Sequence, residues 1–212
     1  SSTGQLWGTP TYFWSKHKRT NFDWWRKRFK RQFELVDLLR LDHFRGLAGY
    51  WRVNGNSKTA ISGRWINSPG RTLLNKLKID LGTDFLPIIA EDLGVITPDV
   101  EKLRKNFELP GMKILQFAFD GSEDNPYLPK NIKGKNWVIY TGTHDNSTSI
   151  SWWECLDNNS KERIKNEYEF SKNPSLSLIE IGMETNANLF IAPIQDILSL
   201  DDSSRLNTPG TI

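Results

Sequence analysis

Residues 34–51, ELVDLLRLDHFRGLAGYW, decide the fold class of this chain. The stretch opens with an apolar run over residues 35–41 that is interrupted only by Asp37 and Arg40. Runs of this length and composition are typical of a parallel strand that is covered on both faces. We therefore predict a buried strand here, which ends in the polar sequence RLDHFRG of residues 40–46.

The end of this strand carries a charged pair. Side chains alternate along a strand with a period of two, so Arg40 and Asp42 are expected to point the same way. An arginine beside a carboxylate favours its ionised form, which is the form that can act as a nucleophile. The alternative for an isolated R-x-D sequence is an ion pair with a structural role, and the rest of the chain has to decide between the two.

Further strands and helices alternate along the chain. Helical spacing of apolar residues is found at residues 71–81, 97–107, 161–168 and 176–185. Short apolar runs predict strands at residues 85–90, 112–119, 137–140 and 188–194. Thr97 before Pro98 predicts a helix start, and so does the pair Ser147 and Thr148. We expect a loop with short extra elements at residues 53–69.

Acidic residues follow the predicted strands, which points to a barrel. They are Asp42, Glu91, Asp120, Asp145 and Asp196. Strands alternating with helices indicate a parallel sheet, and the C-terminal strand ends of a (β/α)8 TIM barrel build its active site. We therefore predict an α/β fold of this type, in preference to an open doubly wound sheet. About five of the eight strands are visible, so residues 1–212 are expected to be the C-terminal portion of a catalytic barrel, without its upstream strands and final helix.

The amino-acid composition makes some classes of function less probable and favours others. The 212 residues include 28 basic and 25 acidic ones, and a net charge of +3 is too mild to require a nucleic-acid or membrane partner. No apolar run approaches the roughly 20 residues of a membrane span. A single cysteine, Cys155, excludes an internal disulfide and fits a reducing compartment. Nine tryptophans suit sugar binding through ring stacking, with large core residues as the competing explanation.

A basic segment at residues 16–30 also contains Trp24 and Trp25, a combination found in nucleic-acid-binding proteins. Its apolar residues nevertheless recur at steps of three and four, which indicates one face of a helix. These residues are Phe22, Trp25, Phe29, Phe33 and Val36. We therefore predict an amphipathic surface helix with Asn21 as its N-cap and a solvated basic face.

The strand-end acids suggest glycoside chemistry. Two carboxylates flanking a glycosidic bond can break it, one as the nucleophile and the other as the acid and then the base. Asp42 is the predicted nucleophile because of its arginine partner. Glu91 is the predicted proton donor because residues 88–90 are apolar and such neighbours favour a neutral carboxyl group. Asp145 and His144 are predicted to bind sugar hydroxyls. Taken singly, an ordinary acid in a turn is the more frequent explanation for Glu91, and a hydrogen-bonded core histidine is the more frequent explanation for His144.

Eight sequence blocks resemble those of the amylomaltases, the bacterial and plastid 4-α-glucanotransferases or disproportionating enzymes of glycoside hydrolase family 77 in the α-amylase clan. LRLDHFRG, AEDLG and THDN occur in the order of that family's three catalytic blocks. The other blocks are GQLWG at residues 4–8, SGRW at 62–65, LPGMKILQFAF at 109–119, NPYLP at 125–129 and NTPGT at 207–211. The resemblance covers nearly the whole chain.

This resemblance implies an enzyme that moves α-1,4-glucan segments between maltooligosaccharides by a retaining double displacement. It implies that Asp42 is the nucleophile, Glu91 the acid/base and Asp145 the transition-state stabiliser. Arg40 and His144 are implied to hold the sugar in the cleavage subsite, with further substrate contacts from Gln5, Trp7, Asp120 and Asn207. No metal or cofactor is implied. An α-amylase-type hydrolase and an inactive glucan-binding fragment are the alternatives, because the carboxylate chemistry alone does not separate them.

The expected partners are α-1,4-glucans and maltooligosaccharides, without nucleic acid and without a membrane. The sequence leaves the oligomeric state open, with a monomer as one option. The expected location is the cytoplasm, or the plastid stroma for a plant gene.

Overall fold

The computed structural model describes residues 3–4, 6 and 8–211. The chain divides into two compact units, Ser1–Gly111 and Met112–Ile212. Each unit has its own hydrophobic core and combines strands with helices.

The first unit contains a parallel strand pair, a hairpin and four helices among its described residues. The parallel pair is β1 (Leu39–Leu41) and β4 (Ile88–Ala90), and the antiparallel hairpin is β2 (Gly49–Val53) and β3 (Gly63–Asn67). The helices are α1 (Trp14–Arg19), α2 (Asp23–Phe33), α3 (Gly70–Leu81) and α4 (Pro98–Asn106). A 3-10 turn, Phe44–Leu47, follows β1.

Helices α2 and α3 bury the apolar faces that their spacing predicts. Trp25 and Phe29 of α2 lie in the core of the first unit, together with three leucines of α3, which are Leu73, Leu74 and Leu77. The predicted amphipathic helix is therefore confirmed for Asp23–Phe33, whereas Val36, predicted to lie on its apolar face, lies beyond its end and is exposed. Its basic face is largely engaged in ion pairs, which are Arg26–Asp80, Lys27–Asp23 and Arg31–Glu34.

The start of α2 differs from the prediction by one residue. Phe22, and not Asn21, is the N-cap, and it makes no capping hydrogen bond through its side chain. Asn21 and Phe22 have φ angles of 51° and 58° in the tight connection between α1 and α2. Asparagine adopts this left-handed conformation more readily than most residues. Asn21 is therefore part of the turn before α2 and is not its N-cap.

The first predicted strand is shorter than residues 35–41, since β1 begins only at Leu39. Leu35 and Val36 still donate their N–H groups to the Gln32 carbonyl, at 2.9 and 3.0 Å, which continues the turn at the end of α2. Both side chains are exposed. The first residues of the apolar run therefore form the turn that follows α2. They are not buried on both faces, as the predicted strand would require.

The predicted loop at residues 53–69 is replaced in part by the β2–β3 hairpin. Trp51 lies opposite Trp65 in its register, and Gly49 lies opposite Asn67. The strands read Gly-Tyr-Trp-Arg-Val and Gly-Arg-Trp-Ile-Asn, and neither shows the regular alternation of apolar and polar residues that predicts a strand.

The second unit is built on a sheet in the order β5 (Gly111–Ile114), β6 (Trp137–Tyr140) and β7 (Leu189–Ile191), with β6 and β7 parallel. Its helices are α5 (Ser149–Cys155), α6 (Asn158–Glu167), α7 (Pro174–Met183) and α8 (Ile194–Ile197), with 3-10 turns at Leu115–Phe117, Pro129–Asn131 and Asp202–Ser204. All five predicted strands are therefore present, in two separate sheets, β1–β4 and β5–β6–β7.

Strand β5 ends earlier than the predicted residue 119, because the chain enters a 3-10 turn at Leu115–Phe117. Leu115, Ala118 and Phe119 are nonetheless buried in the core of the second unit. Their apolar character reflects this packing and not a strand. The predicted helix start at Thr148 is confirmed, since its side chain accepts a hydrogen bond from the Ser151 N–H.

Across the described part of the chain, no helix has the length and apolar character needed to cross a membrane.

Candidate active site

Asp42 follows the last residue of β1. Its Oδ1 lies 2.8 Å from Nη2 of Arg40, so the ion pair predicted from the R-x-D sequence is present. The Arg40 side chain is 28 % exposed and that of Asp42 is 75 % exposed. The guanidinium is thus held against the protein, while the carboxylate that it accompanies projects to where a substrate can reach it.

Asp42 and Glu91 follow matched positions on two neighbouring strands. Leu41 lies opposite Ala90 in the parallel pair, and the Glu91 N–H donates to the Leu41 carbonyl at 3.1 Å. Neighbouring strands lie about 4.8 Å apart. Side chains that follow such matched positions can approach the carboxyl separation of about 5–5.5 Å that a retaining glycosidase requires.

Backbone N–H groups hold both carboxylate oxygens of Glu91. Oε2 accepts from the His43 N–H at 2.8 Å, and Oε1 accepts from the Leu93 N–H at 3.0 Å. The preceding residues of β4 are fully buried, as the sequence predicts. The expected apolar surroundings are therefore found around the strand, but the carboxylate itself is positioned by polar contacts.

A cavity of about 1320 Å³ lies beside the Arg40–Asp42 pair within the first unit. Both residues of the pair line it, and so do several aromatic side chains, which include Tyr12, Trp14, Trp25, Tyr50, Trp51 and Trp65. Aromatic walls with a few convergent polar groups are typical of small-molecule binding sites. Among the described residues, no group of three or more His, Cys, Asp or Glu could hold a metal ion.

The second unit brings three other predicted site residues together after β6. The Asn207 amide donates to the His144 carbonyl at 2.9 Å and to Oδ1 of Asp145 at 3.2 Å. His144 Nε2 lies 3.4 Å from Oδ2 of Asp145. The Asn146 side chain closes the turn by accepting from the Thr143 N–H at 2.9 Å. Asn207, distant in sequence, therefore fixes the carboxylate that the THDN block supplies.

Asp120 has a different environment in the same unit. Its Oδ1 accepts from the Ser122 N–H at 2.9 Å. The pKa of Asp120 is held below its usual value, first by the Asn125 side chain and then by the Ser122 N–H. These contacts close a turn, which gives Asp120 a structural role that the sequence did not suggest. The predicted substrate contacts Gln5 and Trp7 lie outside the described residues.

Asp196 is a strand-end acid with a structural role. Its side chain is completely buried, and it accepts hydrogen bonds from the Ser149 N–H at 2.7 Å and the Ser149 hydroxyl at 2.8 Å. Thr141 donates to it as well. This acid therefore ties α8 to the start of α5 and is not accessible to a substrate.

Comparison with known proteins identifies the family. A family model described as 4-alpha-glucanotransferase, that of glycoside hydrolase family 77, matches residues 1–212. The chain belongs to this family. A 4-alpha-glucanotransferase of Synechocystis sp. is 47 % identical over 213 residues, which cover 100 % of this chain and 42 % of that protein. The chloroplastic/amyloplastic 4-alpha-glucanotransferase of Solanum tuberosum is 45 % identical over 213 residues, covering 100 % of this chain and 36 % of that protein.

A solved structure supports the same family relationship. The amylomaltase of Streptococcus agalactiae in complex with acarbose matches with a TM-score of 0.90 at 37 % identity, over 99 % of this chain and 42 % of that one. The predicted fold class is thereby confirmed for the part of the amylomaltase fold that the chain covers. The chain spans less than half the length of these family 77 relatives.

Proposed function

We propose that the protein is a 4-α-glucanotransferase that moves segments of α-1,4-glucan between maltooligosaccharides. The main support is the placement of Asp42 and Glu91 at matched ends of two neighbouring parallel strands, in a chain that belongs to family 77. We propose further that residues 1–212 form a portion of a catalytic barrel, with the carboxyl ends of its strands as the reacting face.

In the first step of the proposed reaction, a carboxylate oxygen of Asp42 attacks the anomeric carbon of the donor glucan. Glu91 protonates the glycosidic oxygen at the same time, so the C1–O bond breaks and the reducing-end fragment leaves as an alcohol. The product is a covalent glucosyl ester on Asp42. Arg40 supports this step because its guanidinium, 2.8 Å from Oδ1, holds the carboxylate in position for attack.

In the second step, the Glu91 carboxylate removes the proton from the 4-hydroxyl of an acceptor glucan. The acceptor oxygen attacks C1 and Asp42 leaves as a carboxylate, so two inversions restore the α configuration. The N–H groups of His43 and Leu93 hold Glu91 through both steps. Their fixed geometry supports its exchange between the acid and the base roles.

Asp145, with His144 and Asn207 around it, is proposed to bind the hydroxyl groups of the reacting sugar. A carboxylate accepts hydrogen bonds that strengthen as the ring distorts and positive charge develops at C1. The Asn207 amide holds Oδ1 of Asp145 at 3.2 Å, and Oδ2 lies 3.4 Å from the His144 ring, so the carboxylate and the imidazole are placed to bind neighbouring hydroxyl groups of one sugar. Gln5 and Trp7 are proposed as further substrate contacts from the GQLWG block alone, and Asp120 retains that proposal beside its structural role.

A product ladder tests this function. The product of the complete gene is incubated with maltotriose, and glucose, longer maltooligosaccharides and total reducing ends are followed over time. Transfer converts two maltotrioses into glucose and maltopentaose, so the account predicts longer products at a constant number of reducing ends. An α-amylase-type hydrolase would instead give only shorter products with steadily rising reducing ends, which would contradict the proposed transfer.

The matched controls are Asp42→Asn and Asp37→Asn. The first removes the proposed nucleophile and should lower kcat by a factor on the order of 10⁴ or more. The second neutralises an exposed acid five residues earlier and should leave the ladder unchanged. Equal activity of the two variants would exclude Asp42 as the nucleophile.

The proposed partners are α-1,4-glucans and maltooligosaccharides. The Streptococcus agalactiae amylomaltase was solved in complex with acarbose, so that relative binds this molecule. We propose a cytoplasmic location, or the plastid stroma if the gene is from a plant. The Solanum tuberosum relative is described as chloroplastic/amyloplastic, which supports the second alternative.

A further inference from the structure

Two exposed tryptophans extend the cavity beyond the Arg40–Asp42 pair. Trp51 on β2 and Trp65 on β3 lie directly opposite each other in the hairpin. Their side chains are 39 % and 56 % exposed, and their ring centroids lie 5.7 Å apart with the planes inclined at 67°. Both rings line the same cavity as Asp42. This arrangement places a large aromatic surface on the wall of the candidate active site.

Both rings are held in place before any ligand arrives. The Trp51 indole N–H donates to the Ala60 carbonyl at 2.7 Å. Gly63 lies against this indole, since a Cβ at that position would come within 2.6 Å of Nε1. The Arg45 guanidinium carbon lies 4.5 Å from the centroid of the Trp65 ring. Fixed side chains lose little entropy on binding, so such a surface is suited to a ligand.

The tryptophan pair and an arginine pair lie on opposite faces of the hairpin. Trp51 and Trp65 form one cross-strand pair, and the next pair along the strands is Arg52 with Arg64. Successive residues point to opposite faces of a strand, so the two arginines lie on the other face. The arginines are not among the residues that line the cavity. The hairpin therefore contributes flat rings and no charged side chain to the cavity wall, which suits a neutral ligand with flat apolar faces. The charged residues that line the cavity, Arg40, Asp42 and Arg45 among them, come from outside the two strands.

We propose that Trp51 and Trp65 form an accessory site for linear α-1,4-glucan, which binds glucose units beyond those held at Asp42 and Glu91. The inference rests on the proposed function and adds a preference for long chains. The rings stack on pyranose faces, and the Arg45 guanidinium beside them donates hydrogen bonds to sugar hydroxyls. The cavity of about 1320 Å³ is larger than the range of about 300–1,000 Å³ typical of small-ligand pockets, so it has room for several sugar units.

The test measures binding of glucans of two lengths by calorimetry. Asp42→Asn serves as the background, so that neither maltotriose nor maltoheptaose is consumed. Trp65→Ala in this background should weaken maltoheptaose binding about 3- to 10-fold, because one stacking surface is lost. Maltotriose binding should change less than about twofold, because this short ligand binds at the subsites next to Asp42 and Glu91 and does not need the tryptophans. Trp24→Ala is the matched control, because Trp24 is 48 % exposed and is not among the cavity-lining residues.

The outcomes distinguish the inference from the function on which it rests. Unchanged maltoheptaose binding, or equal losses for both glucans, would overturn the accessory site while leaving the proposed function intact. Failure of the Asp42→Asn background to bind either glucan would instead overturn the proposed function. Thermal melting and near-UV circular dichroism verify the fold of each variant. If Trp65→Ala fails to fold, Trp65→Phe takes its place, and a smaller loss confined to maltoheptaose is then the supporting result.

Discussion

The backbone N–H of His43 donates a hydrogen bond to Oε2 of Glu91 at 2.8 Å. His43 directly follows Asp42, so the loop that presents the proposed nucleophile also holds the proposed acid/base. Oε1 of Glu91 accepts from the Leu93 N–H at 3.0 Å. Both carboxylate oxygens are thus fixed by the backbone, and the position of Glu91 depends on the conformation of the loop after β1.

Glu91→Gln should therefore lower stability as well as activity. A glutamine side chain has one carbonyl oxygen and one amide nitrogen, so either His43 or Leu93 loses its acceptor and faces a second donor. We expect a loss of about 1 kcal/mol in the free energy of unfolding, measured by urea denaturation. Glu34→Gln is the control, because its ion pair with Arg31 is exposed and such pairs contribute about 0.5 kcal/mol or less. Equal stability of the wild type and Glu91→Gln would contradict this account of the site.

Asn207 should support catalysis by fixing Asp145. Asn207→Ala removes the amide donor to Oδ1, and misplacement of the proposed stabiliser should lower kcat about tenfold. Asn207→Asp should be more severe, because it places a second carboxylate beside Asp145. Steady-state kinetics with maltotriose check both variants, with the exposed Asn159→Ala as the control. Equal effects of Ala and Asp at position 207 would show that Asn207 acts independently of Asp145.

The buried ion pair between Arg104 and Asp92 should be important for stability. Arg104 Nε lies 3.0 Å from Oδ2 of Asp92, and the two side chains are 5 % and 8 % exposed. Arg104→Met leaves a carboxylate without its buried cation, which should cost about 3–5 kcal/mol in urea unfolding. Adding Asp92→Asn should recover part of the loss, because the buried charge is then removed.

Lys27→Ala is the control for this pair, because its ion pair with Asp23 is exposed and should contribute about 0.5 kcal/mol or less. If Arg104→Met lowers the free energy of unfolding by less than about 1 kcal/mol, the buried ion pair contributes little to stability and the prediction is wrong.

Asp120 should stabilise the fold in a pH-dependent manner. Its pKa lies below the usual 3.8, chiefly because the Asn125 side chain donates to the carboxylate. The folded protein binds this proton more weakly than the unfolded chain does, so the stabilisation is present above the usual value and is lost as the pH falls through the lower folded pKa.

Asp120→Asn should accordingly be less stable than the wild type at pH 6, and the difference in urea midpoint should shrink as the pH falls below 3.8. The exposed Asp124→Asn serves as the control. A stability difference that stays constant or grows at low pH would contradict the assigned role of the ionised carboxylate.

Hydrophobic pattern predicted the sheet but not the ends of its strands. Residues 137–140 form a strand of the predicted length, in which Val138, Ile139 and Tyr140 are buried and which lies between β5 and β7 in the sheet. Leu35, Val36 and Leu38 are also apolar, but the chain leaves the end of α2 in turns, where Leu35 and Val36 donate hydrogen bonds to the Gln32 carbonyl. Tertiary contacts decide whether an apolar segment becomes a buried strand or an exposed turn, so the local sequence could not distinguish these two segments.

The candidate site was predictable where its residues lie close in sequence. Arg40 and Asp42 are two residues apart, so strand periodicity alone predicts their pairing. Asp196 and Asp42 both follow apolar runs, yet one is completely buried and the other is largely exposed. The difference arises from Thr141 and Ser149, about 50 positions away, which donate hydrogen bonds to Asp196. Contacts of such sequence separation are not encoded in any local pattern.

The most direct test of the account is to trap the covalent intermediate. The Glu91→Gln variant is incubated with α-maltotriosyl fluoride and then digested for mass spectrometry. Fluoride leaves without a proton, so Asp42 can be glycosylated, while the missing base blocks attack by an acceptor and the ester accumulates. The account predicts a maltotriosyl adduct on the peptide that contains Asp42, and none when Asp42→Asn is added. An adduct on Asp145, or an adduct that persists without Asp42, would contradict the assignment of the nucleophile.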